Sequence, residues 1–484
     1  MTWRPWAALL VGIAAAAIVV DLGIERRLEN ADTFIPILVS LQRWTAFYWG
    51  QDRFGMLLPL VAVPVGDPLA NLLLQRALGI AAGLCAVVAV CRYFLPARDA
   101  FLTAALAIVA MLLSAPEAIR FLCWTEPYGL GIALATAGLL LIDGRPVGFP
   151  GLVAALALVL LGSWVNVTTA SSVGAMVVAR AVVEGIDRER RSAAIRRRGM
   201  DLALLLLGLA AGLAAAAWYR VAAGVSATDG ALLPMADWPR AWRALAGSAW
   251  QACGAWPLAI DAACALLGFL LLSRMEHRPL RGAVALRSIA LACAALASAA
   301  VVGTSSWVEF NLSSARYLIP SLLLLHVAAI SPLGAALAAT GTLRRGAILA
   351  AAAAVPLSAI VATGFPSLAT ARKGLDAVAG RHTPDVLDAR CDVVSGEYWS
   401  VWPAVWHAAL VAHERGSGRA VWGWTARSQH TDALWGTLPR EARFCALRGE
   451  ANFRESPLAP KIASAPPGSV EQWPTLVVVR LTRR

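Results

Sequence analysis

The stretch ENADTFIPILVSLQRWTAFYWGQDRFGMLLPL, Glu29–Leu60, interrupts the apolar character of the chain just after its first long hydrophobic run. It sets Asp32, Gln51, Asp52 and Arg53 among Trp44, Tyr48 and Trp49. An ionisable group at the edge of a bilayer is costly unless it is paired or used, so such a cluster marks a candidate site.

Composition around that stretch excludes an ordinary soluble domain. Apolar residues make up 59% of 484, and the mean hydropathy is +0.65. Runs of roughly 17–22 apolar residues, enough to cross the hydrocarbon as helices, recur along the chain. Eleven spans are expected: 5–23, 72–91, 99–115, 127–142, 149–165, 168–185, 202–222, 253–273, 287–304, 318–340 and 346–364. The fold class is therefore an α-helical polytopic membrane domain over 1–364, with a first outer loop at 24–71. A small extracytoplasmic α/β domain follows over 365–484.

Arginine placement orients these spans, because short cytoplasmic loops collect Lys and Arg. Arg4, then Arg92 and Arg98, Arg145, the run from Asp187 to Arg198, then Arg274, Arg278, Arg281 and Arg287, and lastly Arg344 and Arg345 fall in alternate connections. The N-terminus is thus expected in the cytoplasm, with loop 24–71 and the tail outside. The net charge of +12 is mostly this orientation signal, strengthened by anionic membrane lipids. No nucleic acid partner is expected. The N-terminal run also fits a secretory signal, but Ile18, Val19, Val20 and Asp21 make a poor cleavage site, so it reads as a retained helix. Arginine-heavy usage, with Lys373 and Lys461 as the lysines, suits a bacterial inner membrane.

Of nineteen tryptophans, only Trp3 and Trp6 fall on the expected cytoplasmic side. Ring faces suit the C–H faces of sugars, and they also suit a membrane interface. Cys391 and Cys445 are alone in the tail, where an oxidising compartment permits a disulfide. No CxxC or HExxH metal pattern occurs.

In the tail, CDVVSG and AVWGWT read as short strands around a helix carrying YWSVWPAVWHAALVAHERG. Thr475–Arg483 reads as a closing strand, and Asn452–Gly468 as an extended loop.

The outer loops carry the chemistry. DTFIPILVSLQRW aligns Phe34, Ile37, Leu38 and Leu41, predicting a helix lying on the membrane surface with Asp32 capping its start. Asp32 can instead be a general base toward an acceptor hydroxyl, and Asp52 is its rival. The two carboxylates could also share a divalent cation, Mg or Mn, with a donor phosphate. SAPEAIRFLCWTEPYG offers Trp124 and Glu126 as acceptor or sugar contacts, beside Gln51, Trp49 and Tyr48. MADWPRAWRALAGSAW predicts a second surface helix. In SSWVEFNLSSARYLIP, Arg316 and Tyr317 open a late span; a guanidinium there suits a phosphate, and a salt bridge to Glu309 or a loop carboxylate is the plainer role. Arg53 is a further phosphate candidate. His326 lies deeper and reads as a buried structural histidine.

This layout, with an acidic first outer loop, RYLIP at a late helix and a C-terminal outer domain, resembles the GT-C superfamily of integral-membrane glycosyltransferases. Protein mannosyltransferases and lipid A aminoarabinose transferases are among its members. The resemblance implies an undecaprenyl-phosphate-linked sugar donor and a glycan, lipid or protein acceptor. It implies an essential acid at Asp32 or Asp52 and a lipid-phosphate contact at Arg316, Tyr317 and Leu318. The chain lacks the adjacent acidic pair frequent in that superfamily. A lipid-linked O-antigen polymerase or ligase would be expected to put a large loop between late helices; a transporter would be expected to show repeated halves and broken helices.

Overall fold

The computed structural model of the chain describes residues 4–24, 29–49, 51, 54–114, 127–143, 148–186, 191–225, 231–275, 278–340, 345–427, 431, 438–439, 441–466 and 468–482. They form two compact units. A helical unit comprises Met1–Asp21, Ala77–Ala215 and Thr228–Phe365; a mixed unit comprises Leu22–Arg76, Ala216–Ala227 and Pro366–Arg484.

Each of the eleven expected intervals falls on a helix: Arg4–Gly23, Pro68–Phe94, Ala97–Ser114, Tyr128–Ile142, Phe149–Val165, Thr169–Gly185, Arg191–Ala223, Ala255–Ser273, Arg278–Gly303, Ile319–Ala339 and Arg345–Thr363. Among the described residues, eight helices are long and apolar enough to cross a membrane. The chain is a multi-pass membrane protein.

Within the helical unit, Ile319–Ala339 is the hub. It packs on Ala97–Ser114, Ala255–Ser273 and Arg278–Gly303. Small residues permit this, because helices in lipid associate by close packing rather than by hydrophobic expulsion. A Cβ on Gly334 would lie 2.8 Å from the Thr103 backbone nitrogen, and one on Gly268 would lie 2.3 Å from that of Leu333. Polar side chains fasten the same interfaces. His326 Nδ1 lies 2.6 Å from Asp261 Oδ1, and its Nε2 lies 2.9 Å from the Ala107 carbonyl oxygen. The histidine thus joins three helices.

At one end of this unit, Arg180 and Arg198 hold Asp143, Glu184 and Asp201 in a partly buried ionic network. Tyr93 completes it, donating its hydroxyl proton to Asp201 Oδ2 at 2.5 Å.

The mixed unit is built on a five-stranded sheet in the order β2-β1-β3-β5-β4. Its strands are β1 Val393–Ser395, β2 Trp422–Trp424, β3 Glu441–Leu447, β4 Val470–Gln472 and β5 Leu476–Thr482. β1 runs parallel to both β2 and β3, whereas β5 runs antiparallel to β3 and β4. A parallel β1–β2 pair needs a crossover, which the helix Tyr398–Glu414 supplies. Cys391 and Cys445 are disulfide-bonded with their Cα atoms 5.9 Å apart, tying the entry of β1 to β3.

Two expectations are corrected here. The helix Ala31–Leu41 does not offer one apolar face to a membrane. Phe34, Ile35, Ile37, Leu38 and Val39 are all buried, because the tail core accepts apolar side chains around the helix rather than on one stripe. The Phe34 ring stacks on Trp406 with centroids 4.7 Å apart. The described residues of the first outer loop group with those of the tail in the mixed unit. The stretch Asn452–Gly468 is not one extended loop: the helix Glu450–Arg454 reaches into it, and Ala459–Ala463 forms a second short helix.

Candidate functional site

The loop and the tail together build a carboxylate site inside the mixed unit. Asn30 is the N-cap of the helix Ala31–Leu41, its side-chain oxygen accepting the Asp32 backbone N–H at 3.0 Å. Asp32 is thus not the cap. It sits in the first helical turn, where the exposed backbone N–H groups favour negative charge. Four residues on, Pro36 has no N–H to give the Asp32 carbonyl, so the helix is locally unusual beside this residue.

The Asp32 side chain is buried, with 6% of the residue exposed. Tyr48 and Tyr398 both donate to its Oδ1, at 2.9 Å and 2.8 Å, and their hydroxyl oxygens lie 3.0 Å apart. Two phenol protons therefore serve three close oxygen–oxygen contacts, which fixes the carboxylate tightly. Burial first, and the Asp32 charge second, push the Tyr48 phenol well above its ordinary value, so it remains a donor.

A second buried charge lies nearby in the sequence. Arg76 donates to Glu29 Oε1, and both side chains are almost fully enclosed. Ser40, Asn71 and Gln75 form a buried polar cluster: Gln75 Nε2 donates to Ser40 Oγ at 3.0 Å and to Asn71 Oδ1 at 2.8 Å. Asn71 in turn donates to the carbonyls of Ala62 and Val65, holding the end of the loop against the start of the helix Pro68–Phe94. Ser40, Asn71 and Gln75 are tolerated in a core because they bond one another.

Of the expected site residues, the structure brings together Asp32 and Tyr48. Trp49 is in the same unit but is 1% exposed, with its ring centroid 5.8 Å from Trp402 and 5.6 Å from Trp422. Its ring packs in the core, as do those of the buried Trp402 and Trp406. A large ring satisfies a small α/β core as well as it satisfies a sugar, which is why counting tryptophans could not separate the two. The Gln51 backbone N–H closes a turn onto the Tyr48 carbonyl at 3.0 Å. Asp52, Arg53, Trp124 and Glu126 lie outside the described residues.

Arg316 and Tyr317 belong to the helical unit, on a short 3-10 turn that opens Ile319–Ala339. Arg316 donates to the Tyr317 hydroxyl at 3.1 Å, and its guanidinium carbon lies 5.0 Å from that ring's centroid. Glu309 bonds Arg240 at 2.7 Å, so the anticipated Arg316–Glu309 bridge is replaced by a pairing with the surface helix Trp238–Cys253. That helix supports the turn through Ser248, which accepts the Ala315 backbone N–H at 3.1 Å.

Among the described residues, no group of three or more His, Cys, Asp or Glu side chains is placed to hold a metal ion. The Mg or Mn site expected between Asp32 and Asp52 involves Asp52, which lies outside the described residues.

Tyr398 is the site residue that sequence reasoning missed. It opens YWSVWPAVWHAALVAHERG and was absorbed into an aromatic helix; nothing local to it points to Asp32. Glu29 and Arg76 were missed as a pair for a similar reason, since they flank the loop from opposite ends.

No family model and no curated protein matches the chain. Among solved structures, the crystal structure of ArnT from Cupriavidus metallidurans bound to undecaprenyl phosphate aligns with a TM-score of 0.52 at 15% identity, covering 99% of this chain and 98% of that one. The apo structure of the same ArnT aligns at 0.46 and 14% identity, covering 99% and 98%. From end to end, then, the chain has the fold of that ArnT structure.

Proposed function

We propose that the chain is a membrane glycosyltransferase that moves a sugar from an undecaprenyl-phosphate donor to a hydroxyl on an extracytoplasmic glycan, lipid or protein. The observation that carries this reading is Asp32, a buried carboxylate held by two tyrosine hydroxyls in a loop–tail core. Enclosing a carboxylate costs folding free energy, and a chain that positions one so closely is using its charge or its basicity.

In the proposed reaction, Asp32 accepts the proton of the acceptor hydroxyl as its oxygen attacks the anomeric carbon. The new glycosidic bond forms as the sugar–phosphate bond breaks, and the bonding pair leaves on the phosphate oxygen. One such displacement inverts the anomeric carbon. Tyr48 and Tyr398 are positioning residues that fix the carboxylate. Arg316, with Tyr317, is proposed for the donor phosphate on the basis of guanidinium geometry and its place at the head of a late helix. Asp52 is the rival base, and Arg53 a further phosphate ligand.

Sidedness is part of the proposal. The arginine-rich connections are assigned to the cytoplasm and the tail to the periplasm of a bacterial inner membrane. The Cys391–Cys445 bridge supports that assignment, because structural disulfides persist in oxidising compartments.

The test is release of undecaprenyl phosphate from lipid-linked sugars by the reconstituted chain. Asp32→Asn should lower turnover by about 10²–10⁴-fold, the usual worth of a general base. Full turnover in Asp32→Asn with loss in Asp52→Asn would transfer the role to Asp52.

A further inference from the structure

A second site lies wholly in the helical unit, between the early part of Arg191–Ala223, the end of Thr169–Gly185 and the early part of Arg278–Gly303. There a cavity of about 690 Å3 is lined by Val183, Ala283 and Leu286 and by Glu184, Arg197 and Arg287. It combines an apolar wall with two guanidinium groups.

The charge balance inside it is set by the neighbouring ionic network. Glu184, the carboxylate on its wall, is already committed: Oε1 accepts from Arg180 at 2.8 Å, and Oε2 accepts from Arg198 at 2.9 Å. Arg198 is itself enclosed among Asp143, Glu184 and Asp201. Arg197, next in sequence, is exposed rather than drawn into that network. Arg287 feels the Asp99 carboxylate, which Arg98 also faces. Even with Arg287 in the field of Asp99, Arg197 and Arg287 set two guanidinium groups on the wall against one carboxylate already engaged by other arginines, at the arginine-rich end of membrane-length helices.

We infer that this cavity binds the headgroup of an anionic membrane phospholipid. Two guanidinium groups match a phosphodiester through paired N–H donors, and Val183, Ala283 and Leu286 offer the apolar surface that the adjoining glycerol and acyl methylenes need. The volume is within the range of small-molecule sites. Electrostatics favours a lipid carrying net negative charge over one whose ammonium cancels its phosphate. This site would hold a lipid that is neither donor nor acceptor, and its failure leaves the proposed reaction at Asp32 untouched.

The experiment is native mass spectrometry of the full chain released from vesicles containing equal phosphatidylglycerol and phosphatidylethanolamine. The wild type should retain phosphatidylglycerol preferentially. Arg197→Gln and Arg287→Gln should each lower retention roughly fivefold, the usual effect of one arginine at an anionic surface. Ala283→Trp, which fills the cavity without removing charge, should lower it as well. Arg196→Gln, at an exposed position on the same helix that does not line the cavity, should leave it unchanged. Equal retention in the cavity variants and the wild type overturns the inference. So does a loss in Arg196→Gln as large as in the lining variants, which would assign the effect to diffuse charge. Displacement of the lipid by millimolar inorganic phosphate would overturn it in favour of a soluble anion.

Discussion

The Tyr398 hydroxyl reaches the Asp32 carboxylate at 2.8 Å across 366 positions of sequence. The first helix of the outer loop and the crossover helix of the tail sheet are thereby joined at one oxygen atom, which Tyr48 also contacts. Removing Tyr398's hydroxyl therefore changes how the carboxylate is held without changing its identity. Tyr398→Phe should lower kcat for the proposed sugar transfer by about tenfold, the loss of a hydrogen bond to a charged group, with little change in KM for the proposed lipid donor. Because both phenols meet the same oxygen, Tyr48→Phe combined with Tyr398→Phe should be non-additive in a double-mutant cycle. Unchanged kcat in both single variants would reduce the tyrosines to packing residues.

Tyr48 also predicts an alkaline limit to stability. Burial and the neighbouring carboxylate raise its folded-state value above the ordinary 10.0. Its contribution is complete below that pH. Above it the unfolded chain loses the phenol proton while the folded chain keeps it, so stability falls as pH rises toward the folded value, by at most about 1.4 kcal/mol per pH unit. Thermal denaturation between pH 9 and 11, in roughly unit steps around the tyrosine range, should show this slope in the wild type. Tyr48→Phe should make it shallower.

The tail carries the opposite dependence at His407. Its Nδ1 lies 2.8 Å from Thr383 Oγ1 and its Nε2 lies 2.8 Å from Asp376 Oδ1, joining three helical segments of the mixed unit. Burial lowers its value below the ordinary 6.5, outweighing the upward pull of Asp376. The unfolded chain then takes up a proton before the folded one as pH falls. Stability should be full above pH 6.5 and decline below it, until the folded-state value is passed. His407→Gln should cost stability at neutral pH yet remove that acidic slope. A parallel loss at pH 7.5 and pH 5.5, about one unit on each side of the histidine range, would show that His407 does not titrate.

The sequence made the helices legible because crossing a bilayer demands long uninterrupted apolar runs, and such runs leave little freedom of assignment. The tail was legible in part. Val393–Ser395, Trp422–Trp424 and Leu476–Thr482 fall in stretches that read as strands, but the inner strand β3 did not. EARFCAL is buried without break from Phe444 to Leu447, so it lacks the alternation that betrays a half-exposed strand. Asp32 was visible as a costly charge. Its tyrosine partner was not, since only the tertiary meeting of loop and tail creates it. Trp49 shows the converse: an aromatic residue beside candidate acids invited a binding role, and its ring packs in the core.

The Cys391–Cys445 bridge offers the sharpest test of how the tail holds together. It closes a separation of 54 residues and joins the approach of β1 to β3, where Cys445 lies opposite Val394 on one side and Val478 on the other. Both cysteines are within 1% of complete burial, so reductant has little access until the strands part. Cross-linking a loop of this length restricts the unfolded chain, and losing such a bridge costs about 2–4 kcal/mol. Cys391→Ser with Cys445→Ser should therefore lower the stability of the mixed unit by that amount in urea denaturation. Because the same core encloses Asp32, the double variant should also lose sugar transfer at temperatures where the helical unit still resists proteolysis. Reduction of the wild type should be slow without denaturant and fast once urea opens the sheet. Equal reduction rates under the two conditions would mean that the bridge is exposed and the core around Asp32 is looser than its packing indicates.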